Sequence, residues 1–175
     1  MADVPIEISG SSFKRLVIVP EVDVKVLRLP HAEGLALPAY MTAGAAGADV
    51  RAALGFHANG EAKAEQVWPG LTKLIPLGIK VEIPRGFEIQ FRSRSGLASK
   101  HSVFVLNAPG TIDSDYRGEM FAILHNSGPK VFTVEHGMRV GQLVIAPVTR
   151  IRWDVVEELS ETDRGEGGRG STGVK

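Results

Sequence analysis

Apolar and polar residues alternate along much of this chain, in short runs broken by Gly, Pro, Asn or Asp. RLVIV (15–19), VDVKVLRL (22–29), TKLIPLGIKVEI (72–83) and FEIQF (87–91) come first. VFVL (103–106), EMFAIL (119–124), VFTV (131–134) and QLVIAPV (142–148) follow. A period of two with turn residues in the gaps marks half-buried strands, so an antiparallel sandwich or barrel is expected. Helical signals are weak: SGLASKH (95–101) and DVVEELSE (154–161) each support a turn or two. FHANGEAKAEQVWPG (56–70) reads as a loop before the TKLI strand. The expected organisation is an N-terminal extension (1–20), one all-β domain (21–160) and a flexible glycine-rich tail (161–175). No internal repeat is visible.

Composition changes this picture little. With 175 residues, 43% of them apolar, one domain with a substantial core is expected. No apolar run approaches the roughly 20 residues of a membrane span, and MADVPIEISG carries no visible secretory signal. The chain has no cysteine, which excludes disulfides, thiolate chemistry and cysteine zinc sites and fits a cytoplasmic location. A formal net charge of zero argues against a sequence-independent grip on nucleic acid. It leaves room for a small anionic ligand, and offers little repulsion against self-association.

Candidate chemistry concentrates in a few stretches. NAPGTIDSDYRGEM (107–120) sets two aspartates, a tyrosine and an arginine beside a Pro-Gly turn between apolar strands. Asp113 there suits a general base on water, or a holder of metal-bound water. The alternative is that Asp113 and Asp115 only accept turn amides. In RSRSGLASKH (92–101), Arg94, Ser95 and Gly96 offer a fork donor, a hydroxyl and an open amide to phosphate oxygens. The same residues also suit a short helix with a serine N-cap. Asp49 in AAGADVRA (45–52) sits at the mouth of a strand, and Gln142 is the uncharged amide near the start of the last strong strand.

The terminal RGEGGRGSTGVK (164–175) reads either as a frayed end or as a phosphate-binding flap. Its GEGGRGST is no P-loop, because Ser171 stands where a lysine is required and no helix follows. The five histidines lack metal-ligand spacing.

In this order, AGADV (46–50), RSGLA (94–98), NAPGTIDSDYRGE (107–119), RVGQL (139–143) and RGEGGRGSTG (164–173) together resemble the trimeric dUTP diphosphatase (dUTPase) family. The resemblance implies a distorted β-barrel or jelly-roll-like (β-clip) domain, assembled as a homotrimer with active sites between subunits. It implies hydrolysis of dUTP to dUMP and pyrophosphate, with water attacking the α-phosphorus and Mg²⁺ bound to the triphosphate. Such an enzyme lowers dUTP and supplies dUMP for thymidylate synthesis, with neither nucleic acid nor membrane as partner.

Residue roles follow from matching positions. Asp113 matches the carboxylate that activates water, and Tyr116 the ring under the deoxyribose that excludes a 2′-hydroxyl. Asn107 matches the reader of the uracil edge, helped by the hairpin backbone at Gly110, Thr111 and Ile112. Arg94, Ser95 and Gly96 match the phosphate loop, Gln142 the amide near the α-phosphate, and Asp49 the aspartate that reaches Mg²⁺ through water. In the tail, Arg164, Gly170, Ser171 and Thr172 match γ-phosphate contacts.

Three positions depart from the family pattern. Ala48 and Val50 replace a tyrosine and a leucine, and Arg169 replaces the aromatic that stacks on uracil. An arginine guanidinium either lies flat on a π face, at about 0.5–2 kcal/mol, or turns to a phosphate instead. Two other readings stand beside this one: a dCTP deaminase relative, which needs a glutamate base instead of Asp113, and a non-catalytic dUTP-binding regulatory trimer.

Overall fold

Ile75, Leu124, Val67, Val103, Val105, Val134 and Val140 are the large apolar side chains sealed most completely from solvent. All but Val67 come from an alternating run or its flank, and burying one stabilises the fold by roughly 1.5–3 kcal/mol. The computed structural model describes residues 19–168. Within them the chain forms β1 (Lys25–Arg28), a 3-10 turn (Pro30–Ala32), β2 (Ala39–Tyr40), β3 (Ala48–Arg51), β4 (Ala64–Val67) and β5 (Thr72–Pro76). There follow β6 (Ile79–Glu82), β7 (Phe87–Arg92), the helix α1 (Ser95–His101), β8 (Val103–Val105) and β9 (Gly110–Ile112). The last strands are β10 (Phe121–Asn126), β11 (Phe132–Glu135) and β12 (Arg139–Pro147).

The strands pair antiparallel into a five-stranded sheet of order β2-β3-β12-β7-β9, a three-stranded sheet β5-β10-β8, and the pairs β1-β6 and β4-β11. Their inner faces enclose one core that includes Val50, Ile89, Phe91, Met120 and Leu143. Among the described residues the ladders do not close into a continuous barrel, so the architecture is the all-β, jelly-roll-like one.

Several expectations need correction. The run 72–83 is two strands, because the chain turns a corner at Leu77–Gly78, where Gly78 has φ +66°. The stretch 56–70 is more than a loop: β4 lies within it and pairs with β11, Phe132 opposite Val67. Ala and Glu are weak strand formers, but burial of Val67 against the partner strand overrides that preference.

DVVEELSE forms no helix. Val155 and Leu159 are 96% and 88% exposed, so no apolar face is buried to stabilise a helix that short. Ser95 is not an N-cap either; Arg94 holds that position in extended conformation without a side-chain cap bond. RLVIV lies outside the described residues except for Val19.

Candidate active site

After β8 the chain runs through Asn107 into β9, the edge strand of the five-stranded sheet, which pairs Gly110 with Phe91 and Ile112 with Ile89. Leaving β9, residues 113–116 form a turn closed by Tyr116 N–H donating to Asp113 O at 3.1 Å. Arg117 Nη1 donates to the carbonyls of Ser114 and Tyr116 at 2.7 and 2.8 Å, stiffening the same loop. Asp113 lines a cavity, and the Tyr116 amide donates to the Asp113 backbone oxygen rather than to its carboxylate.

Asn107, Gly110, Thr111, Ile112, Asp113 and Tyr116 line a single cavity of about 300 Å³. Gly110 leaves room there: a Cβ would stand 2.9 Å from Asn107 Nδ2, so the amide would have to shift. The hairpin thus gathers a carboxylate, an amide, an aromatic ring and backbone groups around a space of nucleoside scale.

A second cavity, of about 290 Å³, is lined by Asp49, Arg94, Ser95, Gly96, Arg139 and Gln142 among others. Asp49 lies in β3, is 6% exposed, and accepts from Gln142 Nε2 at 2.9 Å and Arg139 Nη1 at 3.0 Å. Arg94 Nη2 stands 3.4 Å from the same carboxylate, and Arg94 Nη1 donates to Arg139 O at 3.1 Å. Such a carboxylate holds two forked cations in place, an arrangement suited to several phosphate oxygens. The amides of Ser95 and Gly96, in the first turn of α1, have no intrahelical acceptor and add neutral donors.

The two cavities share no lining residue. β9 and β3 are separated by β7 and β12, so their edges are about 14 Å apart at the usual strand spacing. One chain therefore carries two separate groups, a nucleoside-type pocket and a phosphate-type pocket. Arg164 joins neither; its Nε donates to Gly167 O at 2.7 Å. Arg169, Gly170, Ser171 and Thr172 lie outside the described residues.

Arg139 was not legible as a site residue. Three positions from Gln142, it would face the other side of a regular strand. A bulge between Arg139 and Gly141 inserts Val140 and turns both polar side chains to one face. The usable signal was a lone arginine set between Gly137 and Gly141 in HGMRVGQ. Glu119 and His31 were missed too: His31 Nε2 donates to Glu119 Oε1 at 2.7 Å, across 88 residues that no local pattern connects.

For a cation, the donor set is sparse. Among the described residues no three His, Asp or Glu side chains converge. Both oxygens of Asp49 are engaged by Gln142 and the arginines. The described residues thus offer no inner-shell cage, and any magnesium ion here would have to draw its ligands mainly from phosphate oxygens and water.

Residues 34–173 match the dUTPase family. The chain is 54% identical over 151 residues to the deoxyuridine 5′-triphosphate nucleotidohydrolase of Rhizobium leguminosarum bv. trifolii, covering 86% of this chain and 94% of the relative. It is 49% identical to the enzyme of the same name from Maricaulis maris, covering 88% and 98% of the two. A solved structure of the Staphylococcus bacteriophage 80alpha dUTPase with dUPNHPP superposes with a TM-score of 0.73 at 25% identity, covering 87% and 99%. A mutant dUTPase from a phage of S. aureus, described with a structural Mg(II) ion, has the same fold, with a TM-score of 0.66 at 21% identity, covering 79% of this chain and 99% of that one. Among the described residues no helix is long and apolar enough to cross a membrane. With its family match spanning most of the chain and its curated relatives about half identical, the chain belongs to the dUTPase family.

Proposed function

We infer that the protein hydrolyses dUTP to dUMP and pyrophosphate. The observation that carries this reading is the Asp113 carboxylate in a pocket walled by Asn107, Gly110 and Tyr116. Water forms a bond to the α-phosphorus as the bond to the bridging oxygen breaks, and pyrophosphate leaves. Asp113 takes the proton of that water, which requires the carboxylate within about 3 Å of it. Asn107 and the β9 backbone read the uracil edge, and a mismatched base leaves those polar groups unpaired. Tyr116 lies under the deoxyribose where a 2′-hydroxyl would intrude.

Arg94, Ser95, Gly96 and Gln142 bind the phosphates, with Asp49 and Arg139 holding Arg94 in place. Asp49 would hold a Mg²⁺ ion through water, and that ion would supply charge neutralisation at the triphosphate. By their match to the family motif, Arg164, Arg169, Gly170, Ser171 and Thr172 supply further contacts to the substrate; the last four lie outside the described residues.

Gln142 and Asp113 must both approach the α-phosphorus, yet β12 and β9 are two strand spacings apart, about 10 Å. This supports active sites shared between subunits of a homotrimer, the hairpin from one chain and the phosphate pocket from another. The segment after β12 favours association: Ile151 and Trp153 are 72% and 82% exposed, and Val155 96%. A cytoplasmic location fits an enzyme of the nucleotide pool.

Pyrophosphate release from dUTP, dCTP, dTTP and UTP with Mg²⁺ tests the assignment, with dUTP expected to be strongly preferred. Asp113→Asn is expected to slow dUTP hydrolysis about 10²–10⁴-fold while dUTP still binds. Unchanged turnover would remove Asp113 as the base.

A further inference from the structure

We propose that Glu119 and His31 are positioning residues for Tyr116, and through it for the preference for deoxyribose over ribose. The proposal rests on the reading of Tyr116 as the wall under the sugar. The Tyr116 hydroxyl is not free: it donates to the Glu119 carbonyl at 2.8 Å. It also occupies the space where a side chain on Gly118 would lie, so the ring is pinned against its own loop. Where the ring sits therefore depends on where the Glu119 backbone sits.

The Glu119 side chain adds to the backbone bonds of the next residue, Met120, with Ile79 and Leu77 in holding that segment. Its Oε1 accepts from the Gly78 amide at 3.0 Å, at the corner between β5 and β6. The same oxygen accepts from His31 Nε2 at 2.7 Å, on the 3-10 turn after β1. Gly78 is itself locked to that turn, since its carbonyl accepts from Leu29 N–H at 2.8 Å. Glu119 is 18% exposed and His31 36%, so the contact is half sheltered from water. Charge-assisted bonds of this kind are shorter and stronger than neutral ones. Two elements remote in sequence, the β5–β6 corner and the 3-10 turn, thus converge on one carboxylate beside the loop that carries Tyr116.

Glu119 lines the same cavity as Tyr116, but its Oε1 is taken up by Gly78 and His31, so the role assigned to the pair is positional. A loosened Glu119 lets the ring drift from the sugar, and small misplacements of a positioning group have large kinetic effects. The loss should fall on discrimination between sugars rather than on rate alone.

The test compares kcat/KM for dUTP over UTP in the full-length protein and in Tyr116→Ala, Glu119→Ala, Glu119→Gln and His31→Ala. Tyr116→Ala is expected to lower the ratio at least about tenfold, and Glu119→Ala and His31→Ala about three- to tenfold. Glu119→Gln keeps an acceptor for the Gly78 amide and should recover most of the ratio. If Glu119→Ala fails to fold, His31→Ala and Glu119→Gln still decide the matter. A ratio unchanged in His31→Ala and Glu119→Ala, while Tyr116→Ala lowers it, overturns the tether and spares the reading of Tyr116. A ratio unchanged in Tyr116→Ala overturns both.

Discussion

Gln142 stands directly opposite Asp49 in the β3–β12 ladder and donates to it at 2.9 Å. With Arg139 and Arg94 on the other oxygen, the Asp49 carboxylate is the counter-charge that keeps two guanidiniums aimed at one cavity. Asp49→Asn removes the charge at nearly constant volume. It should cost about 1–3 kcal/mol of stability, since the arginines lose a charge-assisted partner. Urea denaturation of the parent and variant measures this, and dUTP affinity should fall with it. Equal stability would mean that the arginines are held by other contacts.

Gly110→Ala should raise KM for dUTP more than it lowers thermal stability. The new Cβ meets Asn107 Nδ2 at 2.9 Å, at the amide assigned to the uracil edge. Displacing a group that pairs with a base costs about 1–3 kcal/mol of binding, or roughly ten- to hundredfold in KM. Steady-state kinetics and a melting curve separate the two effects. An unchanged KM would show that the Asn107 amide swings away without consequence.

His136 introduces a pH dependence. Burial, and then the neighbouring His31, hold its pKa below the ordinary histidine value. Neutral His136 also accepts the Gly55 amide at Nδ1, at 3.0 Å, which its protonated form cannot do. With the folded pKa depressed, the unfolded chain binds more protons in mild acid. The contribution is therefore present above about pH 6.5 and is lost as pH falls through the folded value. His136→Asn, which can still accept the amide, should flatten the fall in stability between about pH 7 and pH 5. A slope equal to the parent's would assign that pH dependence to other groups.

Most strands were legible because each follows a period of two and ends at a turn residue. FEIQF and QLVIAPV become β7 and β12 almost unchanged, pairing side by side with Phe91 opposite Leu143. What the sequence hid depends on partners far along the chain. The AEQV of β4 has no strand preference of its own and exists because β11 lies beside it. DVVEELSE has helical spacing but finds no surface within the described chain on which to bury Val155 or Leu159.

The site followed the same rule. Its residues were named by motif, but Arg139 needed the bulge at Val140, and the division into two pockets needed the strand order. Motif spacing along a chain carries no information about which strands separate the motifs in space.

The central claim is that one active site takes its hairpin and its phosphate pocket from different subunits. Mixing Asp113→Asn chains with Arg94→Ala chains, after unfolding and refolding together, tests it most directly. Each variant alone should be nearly inactive. Random assortment in a symmetric oligomer then leaves about one quarter of sites with both an intact hairpin and an intact phosphate pocket. The expected result is dUTP hydrolysis at about one quarter of the parent rate. A mixture as inactive as its two components would contradict the shared site and return all of the chemistry to a single chain.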